Sequence, residues 1–579
     1  MLVTRFVPTC LALWLLACGS SPGESPSAPA DLVFFGEHIL TVDPSNPDAR
    51  GVAVRGNDIV AVGSREEVRA YVGANTRVVE LEERALTPGF IDAHGHLALV
   101  MRTLDLVNLA PPPVGPVERI DDIVTALEER ISERDVPAGE WLFGFGYDDS
   151  LLAERRHPTR DDLDRVSTRH PVGLMHISGH LVALNSAALA EVGLTSESPD
   201  PAGGVIRRRA GTREPNGVLE ETAALAVLAT VMGQGAAEAF PAELQRALAY
   251  HASYGITTVQ DGASAVEFVG GLRAIATHAP LPLDVAAFVH VNAMPLDAPI
   301  EAIGHSREYE NGVRVAGVKF TLDGSPQGRT AWLTEPYIEG PPGAPADYVA
   351  YPSIDPAHYK AQVARMLRAG IPVLAHANGD AAIDLMIEGV AEALGDERPD
   401  HRSVTIHAQL TREDQLDAMQ QLGIVPSFFA AHPFFWGDWH RLSFGDARAS
   451  RISPLRSTID RGMPYTIHND APVVPPDVMQ LLEIAVTRTT RSGSVLGSQQ
   501  RASVEEALYG VTLGAAYAYF EEGRKGSISP GKQADLVVLA RDPREVAADE
   551  IGEIDVLETF ARGHSVFARD AEAASPAAR

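Results

Sequence analysis

His94-Gly95-His96 sets two imidazoles two positions apart, directly after Gly89-Phe90-Ile91-Asp92-Ala93, a short apolar run that reads as a strand. Side chains on a strand alternate faces, so His94 and His96 point the same way and can grip one ion. Alone the pair carries little, since the chain has 19 histidines and chance supplies about half an H-x-H per chain of this kind. Its weight comes from four further residues that close short apolar runs. These are Lys319 in Val315-Ala316-Gly317-Val318-Lys319, His376 in Pro372-Val373-Leu374-Ala375-His376, His407 in Val404-Thr405-Ile406-His407, and Asp470 in Tyr465-Thr466-Ile467-His468-Asn469-Asp470. Imidazole and carboxylate suit zinc, and no cysteine follows Cys18, so thiolate ligation in the mature chain is excluded. Lys319 cannot bind a metal as an ammonium ion. On a buried strand that charge is disfavoured, and the neutral amine can capture carbon dioxide as a carbamate. A carbamate can bridge two ions roughly 3.5–4 Å apart, with a shared hydroxide as nucleophile and a substrate carbonyl polarised by the ions.

Each run is bounded by Gly, Pro or polar residues, the pattern of a strand buried on both faces. Amphipathic stretches lie between them. Pro356 to Gly370 is one, ending on the glycine that commonly stops a helix. Candidate strands fall near 89–94, 255–261, 283–291, 315–320, 372–377, 404–408, 424–428 and 464–469. Strand and helix alternating in this way predict an α/β fold of the TIM (β/α)8 barrel type, with its chemistry at the C-terminal strand ends. The polar residues close the first, fourth, fifth, sixth and eighth strands, so all of them converge on one mouth.

The set His94, His96, Lys319, His376, His407 and Asp470 resembles the ligand set of the metal-dependent amidohydrolase superfamily, in its two-metal subtype with a bridging carboxylated lysine. Thr87-Pro88-Gly89-Phe90-Ile91-Asp92-Ala93-His94-Gly95-His96 and the segment from Lys525 to Leu539 carry the same resemblance, which spans about 31 to 570. Gly317 to Ala331 and His376-Ala377-Asn378-Gly379-Asp380 are similar to the amidohydrolase 3 branch, which includes N-substituted formamide deformylases. The resemblance implies two divalent ions, with zinc expected. His94, His96 and Asp470 would hold one and His376 and His407 the other, with carbon dioxide bound as the Lys319 carbamate. Asp470 would pass a proton from the attacking water to the leaving nitrogen, so Lys319 and Asp470 are the expected catalytic residues. The implied function is hydrolysis of a non-peptide carbon–nitrogen bond in an amide or N-substituted formamide, by attack of a metal-bridging hydroxide. Esters, lactones and cyclic amides are the alternative on the same site. A single-metal deaminase would have no use for Lys319, and a non-catalytic small-molecule-binding lipoprotein would have no need of a complete ligand set. One departure stands out: His468-Asn469 precede Asp470 where relatives often have Gly-Ser.

Substrate contacts are harder to read. Asp323, Gln327 and Arg329 follow the lysine strand and can bind polar substrate groups or anchor a loop by ion pairs. The aromatic run Phe428 to His440, with His432 in it, reads equally as a pocket wall and as loop packing. His180 and Asn185 lie in the long insertion, about 100–245, between the first two strands. By resemblance this insertion caps the barrel and brings His180 to the site.

The ends of the chain bear on location. Residues 1–17 read as a signal peptide, and Leu15-Leu16-Ala17-Cys18 looks like a lipobox. Residues 18–30 would then be a lipidated cysteine and a Ser/Pro/Ala-rich flexible tether. This predicts an outer-membrane lipoprotein facing the periplasm, or a periplasmic protein if not lipidated, with membrane contact only through Cys18. Both cysteines lie in the leader, so no disulfide is expected in the folded part. A chain of 579 residues, 45% hydrophobic, is long enough for more than one domain. Residues 31–87 and 521–570 are expected to form a small composite β-sandwich, 88–520 the barrel, and 571–579 a disordered tail. The net charge of −29 argues against nucleic acid as a partner. A small-molecule substrate is expected, and a homodimer is compatible with the chain.

Overall fold

The computed structural model describes residues 28–232, 236–341 and 343–569. The leader 1–17, the lipidation residue Cys18, most of the tether and the tail 571–579 lie outside the described residues. Eight apolar runs pair side by side, in chain order, as one curled parallel sheet. They are β1 (Phe90–Ile91), β2 (Ile256–Ser264), β3 (Asp284–His290), β4 (Val313–Thr321), β5 (Val373–Ala377), β6 (Val404–His407), β7 (Val425–Phe428) and β8 (Thr466–Ile467). Residues of both faces are buried along most of their length, which is why the strands read as continuous apolar runs. The two edges of the sheet meet just past β1 and β8. The Asp470 N–H donates to the His94 carbonyl at 3.1 Å and the His96 N–H to that of Ala471 at 2.8 Å. The result is a TIM-like barrel, and its strands fall on the eight segments expected.

Helices cover the sheet on the outside. The helix Pro356–Arg368 starts where the Asp355 side chain accepts the His358 N–H, with proline in the first turn, and stops at Gly370, whose φ is 69°. Its Tyr359, Val363 and Met366 pack with Ile383, Met386 and Val390 of the helix Asp380–Leu394 in one apolar cluster over β4 and β5. Burial of this kind contributes roughly 1.5–3 kcal/mol for each large side chain. Register sets the ligands around the rim: Lys319 pairs with Leu374, Thr321 with His376, and Ala377 with His407.

The insertion forms a six-stranded mixed sheet that includes Leu142–Tyr147, Val172–His176 and Leu181–Leu184. The two chain ends build two four-stranded sheets. One contains Leu32–Phe35 and Gly51–Arg55, the other Ala85–Pro88 and Leu536–Leu539. Phe34, Val52, Ile59, Leu86, Leu536 and Phe560 share a single apolar cluster between these sheets. Among the described residues no helix is long and apolar enough to cross a membrane.

Candidate metal centre

The strand ends bring five of the six expected ligands to the wall of one cavity of about 510 Å³, and the sixth, His94, is fully buried against Lys319 of that wall. Donor atoms of His94, His407 and Asp470 lie within 4.8 Å of one another. The His94 Nε2 stands 3.5 Å and the His96 Nε2 3.2 Å from Asp470 Oδ1. The His407 Nε2 is 4.0 Å from Asp470 Oδ2, and its ring centroid is 4.5 Å from that of His376. Lys319 Nζ sits 3.0 Å from His94 Nε2. Both His407 (φ 73°) and Asp470 (φ 57°) adopt the left-handed backbone region, which costs a side chain on the order of 1–2 kcal/mol per residue. The fold holds these two ligands in place against that strain.

Each inward nitrogen is set by a partner on the other side of its ring. His94 Nδ1–H donates to Gln260 Oε1 at 2.6 Å, and Gln260 in turn donates to the Ala93 carbonyl at 3.0 Å. His376 Nδ1–H donates to Asp323 Oδ1 at 3.1 Å. His407 Nδ1 meets His468 Nε2 at 3.2 Å, and His468 Nδ1 meets Ser427 Oγ at 2.8 Å. Metal-binding histidines are commonly oriented by such outer partners. Burial, and then neighbouring cationic groups, hold His94, His376 and His407 well below the ordinary histidine range, so all three rings are neutral at neutral pH. Burial draws the Lys319 amine down to about 7, against the opposing pull of Asp470 and Asp261. Asp470 Oδ1 is buried and has no hydrogen-bond partner among the described residues. An orphaned carboxylate oxygen facing two imidazoles, beside a lysine that deprotonates easily, fits a cation site in its donor chemistry and has no role in packing.

A profile of the amidohydrolase family matches residues 77–567 of this chain. The chain belongs to the amidohydrolase family. It is an amidohydrolase enzyme and metal-dependent, with the cluster above as its candidate metal centre. It is 26% identical over 543 residues to the N-substituted formamide deformylase of Arthrobacter pascens, covering 92% of this chain and 97% of the relative. It is also 26% identical to the putative amidohydrolase YtcJ of Bacillus subtilis, covering 92% and 99%. Its fold is similar to that of an uncharacterized metal-dependent hydrolase from Pyrococcus horikoshii, with a TM-score of 0.70 at 22% identity, covering 89% of this chain and 99% of that one.

The amidohydrolase's other expected site residues divide. His180 lines the cavity, its ring 5.3 Å from that of His376, and its Nδ1 meets Glu221 Oε2 at 2.6 Å. Asn185 lies away from the cavity and caps the helix Ser186–Glu191. Asp323, Gln327, Arg329 and His432 are not on the cavity wall. The Asp323 carboxylate turns back to His376 and to the N–H groups of Trp332, Asn378 and Gly379. The Gln327 carbonyl accepts from Trp439 Nε1 at 3.2 Å. Arg329 is held by Glu339 at 2.8 Å and by the ring of Trp439. His432 Nδ1 meets His440 Nε2 at 2.8 Å. The aromatic run is mostly a helix, His432–Ala449, that buries Phe435, Trp436, Trp439 and Phe444. Gln260, Glu221, His290 and Asn292 did not stand out in the sequence, although three of them line the cavity and Gln260 backs His94. Gln260 and Asn292 fall in or just after apolar runs that read as strands, and that position was the available signal.

Proposed function

We propose that this amidohydrolase cleaves a carbon–nitrogen bond outside peptides, in an N-substituted formamide or an acylated amine. Two divalent ions, zinc by the character of the donors, and a carboxylated Lys319 between them would complete the site. The observation that carries the proposal is Lys319 itself: a buried amine with a lowered pKa, 3.0 Å from His94 Nε2, in the same cavity as Asp470 and His376. The relative named as a formamide deformylase, similar along nearly its whole length, supports the choice of bond.

His94, His96 and Asp470 would hold one ion, and His376 and His407 the other. When bound, the ions would polarise the scissile carbonyl and bring the pKa of a water toward neutrality. Asp470 would serve as the proton carrier, taking a proton from the attacking water and handing it to the departing nitrogen. His180, fixed through Nδ1 by Glu221, presents its other nitrogen to the polar part of the substrate. Leu99, Leu225 and Val473 give the cavity apolar walls that suit the substituent on nitrogen. A lipid on Cys18, holding the enzyme at the periplasmic face of an outer membrane, belongs to the same proposal and rests on the leader sequence alone.

Metal counting on the purified chain, with intact mass recorded under mild conditions, tests the site. Two ions and one retained carbon dioxide are expected, with turnover of N-substituted formamides or acylated amines. Turnover confined to lactones or esters moves the assignment to that alternative, and one ion with no carbamate overturns the two-metal site.

A further inference from the structure

The insertion carries a second convergence of ligand-type side chains, away from the cavity wall. Asp149 lies just past the strand Leu142–Tyr147, His157 in the following loop, and His176 at the end of Val172–His176. Their donor atoms lie within 4.8 Å of one another. The His176 Nε2 is 3.1 Å from Asp149 Oδ1 and the His157 Nε2 is 3.6 Å from Asp149 Oδ2. Donors on a tetrahedral zinc with bonds of 2.0–2.1 Å are about 3.3 Å apart, between these two values. The far nitrogens meet hydroxyls, His157 Nδ1 that of Tyr147 at 3.2 Å and His176 Nδ1 that of Ser178 at 2.8 Å. Either hydroxyl can accept an N–H and leave the inward lone pair for a metal.

We propose that Asp149, His157 and His176 form a metal site of their own, separate from the catalytic one, that takes a divalent ion of the zinc type. No lysine or arginine forms an ion pair with Asp149 among the described residues. The cluster of His38, Asp542 and Glu545 differs on this point, since Arg544 already grips Asp542 at 2.6 Å. The competing arrangement is hydrogen bonding alone. In it the Ser178 N–H, 3.2 Å from His176 Nδ1, donates to that nitrogen, and Nε2–H donates to Asp149.

An ion here would tie together three segments of the insertion. One of them leads through Ser178 and Gly179 to His180, which reaches the catalytic cavity. Trp436 Nε1 donates to Asp148 Oδ2 at 2.6 Å, so the loop that supplies Asp149 is already anchored to the barrel. The ion would therefore fix the part of the insertion that positions His180. Neither the substrate nor the chemistry of Lys319 enters into this assignment.

The test is zinc stoichiometry of the full chain beside its Asp149→Asn/His157→Gln variant, together with anomalous scattering at the zinc edge from crystals of the unaltered protein. One fewer ion in the variant, and an anomalous peak between the three side chains, is the expected result. An equal count in both proteins, or peaks at the His94 cluster with none beside Asp149, overturns the proposal. If the variant does not fold, the anomalous map decides. Because the ions are counted and located site by site, an empty catalytic cluster would leave the outcome at Asp149 unaffected.

Discussion

Two lysines are buried in this barrel to almost the same degree, 2% exposed for Lys319 and 1% for Lys525, yet they are opposites. Lys319 lies near the C-terminal mouth, in no ion pair with a carboxylate among the described residues, and burial draws it down to about 7. Lys525 lies at the base. Its Nζ is 2.6 Å from Asp284, the first residue of β3, 3.2 Å from Glu521, and 4.5 Å from the Tyr309 ring centre. There the carboxylates overcome burial and raise it well above its ordinary value. Burial makes an amine neutral and reactive, whereas burial with paired carboxylates makes a fixed cation that joins elements. The mouth of the barrel thus concentrates chemistry and the base stability, as its architecture leads one to expect.

Exchange of each lysine for methionine should separate the two roles. Lys319→Met is expected to lower kcat/KM by about 10³-fold or more, because it removes a group needed in the transition state. With both proteins stripped of metal, its thermal midpoint should stay level or rise, since an apolar side chain replaces an unpaired buried amine. A midpoint well below that of the unaltered enzyme, or retained turnover, would erase the contrast. Lys525→Met is expected to cost about 3 kcal/mol of stability, because Asp284 and Glu521 lose a buried counter-charge while Arg562 and Arg314 still reach them. Metal content per folded chain should be unchanged.

The same base predicts a pH response. Burial opposes the ionised Asp284, but Lys525 and Arg562 hold its carboxyl below the ordinary value, while Lys525 is raised. A lowered acid stabilises above its unfolded pKa, and a raised base stabilises below its own. The contribution is therefore full from roughly pH 4 to 10. It falls away in acid as pH drops from the ordinary carboxyl value through the lowered Asp284 value, and in alkali as pH climbs from the ordinary lysine value through the raised value of Lys525. Thermal midpoints measured across pH should show Lys525→Met with a weaker dependence at both limits, and parallel curves would contradict the assignment.

How far this contrast could be read without coordinates depends on the kind of contact. Lys319, His376, His407 and Asp470 stood out because a polar residue closing a strand buried on both faces has few packing reasons to be there. Asp323 misled by the same logic. It follows β4 closely, but its carboxylate turns inward to His376 and three N–H groups, a direction that spacing along the chain does not encode. The aromatic run was ambiguous for a different reason. Phe435, Trp436, Trp439, His440, Ser443 and Phe444 recur at helical spacing and are all buried, so the period of the run, more than its richness in rings, carried the answer. Lys525 is visible in the sequence only as part of a family signature, since its partner Asp284 is 241 residues away. Gln260, 166 residues from His94, was hidden in the same way.

Two glutamines give the finest form of the comparison, one behind each end of the barrel. Gln260 accepts from His94 Nδ1 at the mouth, whereas Gln533 Nε2 donates to Asp284 at 3.2 Å and Asp535 at 2.9 Å at the base. Gln260→Leu removes the acceptor that directs the His94 lone pair inward, and should weaken metal affinity by roughly 10–100-fold. Gln533→Leu removes hydrogen bonds to carboxylates that keep their charged partners, and should cost about 1–2 kcal/mol of stability with no change in metal affinity. Competition with a chelator measures the first quantity and thermal unfolding the second. A metal affinity that responds equally to both substitutions would mean that the base tunes the centre through the strands. Response to Gln260 alone would confine the tuning to side chains that touch the ligands.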